Sequence, residues 1–92
     1  MNSSDQSALD QVATGTARRQ CQNLFLRFWP EAIPPVMVGT AAATFETAAR
    51  RAVADLAIAG DRDVILERLG KLWRTAWEDT LRRLAREDRA PQ

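Results

Sequence analysis

The sequence predicts an all-α protein, a small three-helix bundle that is mainly antiparallel and has surfaces suited to self-association. Three observations carry this expectation. Apolar residues recur at spacings of three and four along most of the chain, structural punctuation falls at only two places, and nothing resembles a strand, since β-branched residues are few and alternation is absent. The two breaks are Trp29-Pro30-Glu31-Ala32-Ile33-Pro34-Pro35 and Gly60-Asp61. The 92 residues have room for one domain, 1–92, in a size range where a single core is only just sufficient. With 46% hydrophobic and 27% charged residues, the composition is that of a packed globular chain rather than a disordered tail.

The first helix is expected over 5–29. Leu9, Val12, Ala13, Ala17, Cys21, Leu24 and Phe28 mark one face of it. Ser3 with Gln6 offers a capping box at its start. Gly15 and Thr16 weaken its middle, and Pro30 ends it by driving Trp29 out of the helical region.

The second helix is expected over 35–59, with Pro35 as a good first residue and Gly60 as a left-handed stop. Val38, Ala42, Phe45, Ala49, Ala52, Leu56 and Ala59 alternate steps of four and three, which reads as a heptad seam of mostly small residues.

The third helix is expected over 62–87, capped by Asp61. Ile65, Leu66, Leu69, Leu72, Trp73, Ala76, Trp77, Leu81, Leu84 and Ala85 give it a broad apolar face. Glu67 with Lys71, Glu78 with Arg82 and Asp79 with Arg83 stand at the favoured i, i+4 order on the other face. Because Phe25, Phe28, Trp29, Trp73 and Trp77 all lie in the first and third helices, the alanine seam of the second is expected to be the floor on which they rest.

The same residues argue against most kinds of site chemistry. Thirteen basic residues against 12 acids leave a formal charge of +1, with both signs scattered, so the clustered positive charge that binds phosphate backbones or anionic membranes is missing. Histidine is absent and Cys21 is the only cysteine, which leaves no ligand set for zinc or haem and no base beside a thiol nucleophile. No cofactor is expected. Asp61 and Asp63 are spaced like the first ligands of a calcium loop, but its glycine and terminal glutamate are missing. Glu78-Asp79 and Glu87-Asp88 are adjacent on a helix and so point in different directions. The four glycines are isolated at 15, 39, 60 and 70, so there is no phosphate loop. An enzyme is not expected.

A helix-turn-helix reading of Leu56, Gly60 and Leu66 fails because Asp55 and Asp61 occupy apolar places and the would-be recognition helix opens with Asp61, Asp63 and Glu67. The polar, acidic stretch Met1 to Asp10 lacks the features of a secretory signal. Val36 to Ala49, the longest apolar window, falls short of the roughly 18 residues of a spanning helix. A cytoplasmic protein is the expectation, and the preference for arginine over lysine suggests a GC-rich bacterial genome.

What remains is apolar surplus. Three short helices do not readily hide every large side chain, and Asn23-Leu24-Phe25-Leu26-Arg27-Phe28-Trp29 is apolar around most of its circumference. Phe25, Phe28, Trp29, Ile33, Met37, Trp73 and Trp77 are the candidate interface, since aromatic anchors near arginine are the usual composition of protein contacts. The expected function is a non-enzymatic interaction module: a small adaptor, inhibitor or accessory subunit that docks on another protein. A nucleic-acid-associated regulator and an amphipathic coat on lipid or storage granules are the alternatives, both disfavoured by the charge pattern and by the core's own claim on the apolar faces.

Overall fold

A computed structural model of the chain describes residues 3–55 and 60–89 as three helices, α1 (Ser3–Phe28), α2 (Pro35–Asp55) and α3 (Arg62–Arg89), packed against one another in a small bundle. The breaks fall where the punctuation puts them. The last backbone bond of α1 runs from Trp29 N–H to the Phe25 carbonyl (2.9 Å). Pro34 accepts from Met37 (2.9 Å) to open α2. Gly60 has φ of 121°, in the region that favours glycine, and Asp61 Oδ1 accepts from Asp63 N–H at 3.0 Å to cap α3. That bond is the role of the Asp61 and Asp63 pair. The expected extension of the second helix through Leu56 to Ala59, and the Ser3 side chain of the capping box, lie outside the described residues.

Pairings across the helices fix their directions. Asp10 meets Arg68 (2.9 Å), Gln20 meets Trp73 (2.8 Å) and Cys21 meets the Trp77 carbonyl (3.6 Å), so numbers in α1 and α3 rise together and these two helices run parallel. Gln20 also reaches the Ala41 carbonyl (3.0 Å), while Trp29 shares a groove with Ile33 and Val38, so α1 and α2 run antiparallel. This is an up-down-up bundle. Its largest interface joins α1 to α3, and the smallest joins α2 to α3.

That ranking corrects the picture of α2 as the floor. The small side chains over which α3 closes are Ala13, Ala17 and Cys21 of α1, all fully buried and framed by Leu9 and Phe25. Trp77 packs on that side, and Cys21 donates its thiol proton to the Trp77 carbonyl. Of the aromatics on α3, Trp73 is the one that rests on α2, stacked on Phe45 with ring centroids 5.9 Å apart.

The seam of α2 is also rotated from the expected one. Ala41, Phe45, Ala49 and Val53 are buried, while Val38, Ala42 and Ala52 are only partly covered at its edge. A heptad alternates threes and fours to stay parallel to the axis, whereas a stripe that steps always by four turns about the helix by roughly 40° per step. The α1 stripe of Leu9, Ala13, Ala17, Cys21 and Phe25 steps by four as well, so Val12 is left 40% exposed and Leu24 and Phe28 half-buried. Both stripes follow the inclined ridges through which crossed helices interlock, not a coiled-coil seam.

On the outer face of α3, Glu67 pairs with Lys71 as expected (3.5 Å). Arg82 instead takes Asp79 (2.8 Å), one turn back by three, and Arg83 turns towards Glu87 (3.9 Å). Solvent-exposed i, i+3 and i, i+4 pairs differ little in energy, so sequence order alone does not choose between them.

Candidate interaction surface at the hinge

The turn between α1 and α2 presents apolar groups that neither helix covers. Glu31 N–H donates to the Phe28 carbonyl (2.7 Å), which folds the chain back after a cis Trp29-Pro30 bond. Trp29 lies stacked on Phe25 (centroids 5.0 Å, planes 30° apart) and remains 45% exposed. Together with Ile33, Val38, Trp77 and Leu81 these rings wall a groove of about 300 Å³, with Glu31 as the charged group at its lining. Leu26, three residues before Trp29 and so on a neighbouring part of the helix surface, is 69% exposed, and Val36 at the start of α2 is 72% exposed. Arg27 lays its guanidinium over the Phe28 ring at 5.5 Å, close enough for a cation–π contact.

The seven candidate residues therefore separate. Trp73 and Trp77, only 6% and 5% exposed, are stacked on each other (5.1 Å) within the core, and Phe25 is buried as the underside of the Trp29 stack. Trp73 and Trp77 thus present no open face for docking, and they line grooves from below, Trp73 one between α2 and α3 and Trp77 the one at the hinge. Phe28, Ile33 and Met37 are half-buried around the hinge, and Trp29 is the exposed ring. Leu26 and Val36 stand outside those seven although they are the most exposed large apolar side chains described. The signal for them is the four-step stripe: Leu26 follows the stripe residue Phe25 by one position, about 100° round the helix, which turns it to solvent.

Elsewhere the described residues contain no group of three or more histidine, cysteine, aspartate or glutamate side chains placed to hold a metal ion. The Cys21 thiol is fully buried, and burial pushes it up to about 11 from its ordinary 9.0 against a smaller lowering pull from the Arg83 guanidinium. A thiol held protonated in this way packs as a small apolar group rather than acting as a nucleophile. No helix among the described residues is long and apolar enough to cross a membrane. Comparison of the chain with protein families, curated proteins and solved structures finds no match, which leaves the exposed hinge as the guide to function.

Proposed function

We propose that this chain is a non-enzymatic interaction module, an adaptor, inhibitor or accessory subunit that docks on a larger protein through the hinge between α1 and α2. The observation that carries the reading is Trp29: a tryptophan held rigid on Phe25, nearly half exposed, at the lip of an apolar groove and beside exposed Leu26. An indole presented this way loses little conformational freedom on binding and has a large area still to bury, which is why tryptophan dominates the energetic centres of interfaces. The partner it fits offers an apolar side chain to the groove and a complementary surface over Leu26 and Val36.

The test compares the intact chain with Trp29→Ala as bait in extract of the native host, with helicity followed by circular dichroism. The expected result is a protein retained by the first and lost by the second while both remain equally helical. Retention of the same proteins by both baits would overturn the reading. Trp73→Ala provides the contrast, because removal of that buried ring should lower stability by about 3 to 5 kcal/mol.

A further inference from the structure

We propose that a second groove, between α1 and α3, binds the phosphoryl group of a small organic phosphate. It is an open groove of about 310 Å³ and shares no lining residue with the hinge groove.

Two arginines line it from different helices, Arg18 of α1 and Arg83 of α3. Among the described residues Arg18 forms no ion pair, and the approach of Arg83 to Glu87 is a loose 3.9 Å, so both keep N–H donors to spare. Planar guanidinium forks match phosphate oxygens better than any other side chain does.

Thr80, a polar residue only 4% exposed, lines the same groove. The hydroxyls of Thr14, Thr40 and Thr47 donate to carbonyls of the preceding turn, but no hydrogen bond within the described residues holds that of Thr80. Thr80 lines the groove, so its hydroxyl is a donor that an anion oxygen bound there can accept. Asp79 is the acid at the lining, and its Oδ1 accepts from Arg82 at 2.8 Å, which neutralises it locally. Leu72 and Ala76 line the same space and give an apolar surface on which the organic part of the ligand can lie.

The test is amide chemical-shift titration of the whole chain with inorganic phosphate and with phenyl phosphate, at an ionic strength held constant with chloride. Saturable shifts centred on Arg18, Thr80 and Arg83 are expected, with phenyl phosphate the tighter ligand. The double variant Arg18→Gln, Arg83→Gln removes only exposed side chains and should weaken binding by about tenfold or more, since hydrogen bonds to charged groups are the strong ones. Thr80→Val keeps the side-chain shape and should weaken it several-fold. Absence of saturable shifts with either ligand, or unchanged affinity in the double variant, would overturn the proposal. Sedimentation with phosphatidic acid vesicles distinguishes the source: vesicle binding without a phenyl phosphate response would replace a free small molecule by a lipid headgroup and refute the proposal as stated. Neither result bears on Trp29, whose test reads a different face.

Discussion

Gln20 ties all three helices together with one amide. Its Oε1 accepts from the Trp73 indole N–H (2.8 Å) and its Nε2 donates to the Ala41 carbonyl (3.0 Å), so a single α1 side chain satisfies polar groups on both neighbours. A glutamine beside Arg18, Arg19, Gln22 and Asn23 reads as surface in the sequence, and only the meeting of the helices gives it this role. Truncation to Gln20→Ala strands both partners, and each unsatisfied group costs about 1 to 3 kcal/mol. The midpoint of urea unfolding should fall accordingly with the slope unchanged; a midpoint equal to that of the intact chain would show the bridge to be dispensable. Cys21 gives a second residue-level expectation. The folded chain keeps its thiol proton to about pH 11, whereas the unfolded chain releases it near the ordinary 9.0. Between those values the folded state binds more protons, so stability is fully present below pH 9 and falls as pH rises towards 11. The loss is on the order of 3 kcal/mol at about 1.4 kcal/mol per pH unit. Cys21 is the only cysteine of the chain, and there is no tyrosine. Denaturation of the intact chain and of Cys21→Ala at pH 8 and pH 10.5 should show the decline in the first and its near absence in the second.

At the scale of the helix, ends were legible and faces only partly so. Trp29-Pro30 and Gly60-Asp61 act through local covalent geometry, namely the restriction before proline, the positive φ of glycine and the reach of an aspartate to the next backbone N–H. Nothing remote can alter them much. Which of two adjacent alanines on α2 faces inward is a different matter, because Ala41 and Ala42 are chemically identical and the choice depends on how the partner helix crosses. The heptad reading selected Ala42; the structure buries Ala41 and leaves Ala42 at the edge of the α2–α3 groove. The hinge surplus was visible as composition, yet its division into core (Phe25, Trp73, Trp77) and surface (Trp29, Leu26) follows from the same crossing geometry. A test of the four-step stripe of α1 compares Ala17→Leu with Ala48→Leu. Ala17 is fully buried where α1 meets α3, so added methylenes should cost about 1 to 3 kcal/mol. Ala48 lies exposed on α2, and its substitution should change stability by less than about 0.5 kcal/mol. Equal thermal midpoints for the two variants would contradict the stripe.

The molecule as a whole is extended for its length. Its radius of gyration is 14.8 Å and its principal extents are 49 × 26 × 16 Å, against about 12 Å expected for the radius of a compact domain of this size. The shape follows from the unequal interfaces. α1 and α3 lie side by side over most of their lengths, while α2 is joined to α1 through the hinge and Gln20, and to α3 mainly through the Phe45–Trp73 stack. Local stability tracks buried apolar contact, so opening should begin with α2. Native-state hydrogen exchange should place the slowest amides around Ala13 to Cys21 in α1 and Leu69 to Trp77 in α3, with those of α2 exchanging through openings of lower free energy. Phe45→Ala removes the ring on which Trp73 rests and should widen that gap, lowering protection in α2 more than in the other two helices. If α2 amides prove as slow as those of the α1 core, or if Phe45→Ala lowers all three helices equally, the chain opens as a single unit. A detachable α2 has a consequence for the hinge, since Val36, Met37 and Val38 belong to its first turn: a partner that bridges Trp29 to those residues would clamp α2 in place, and should raise its exchange protection above that of the free chain.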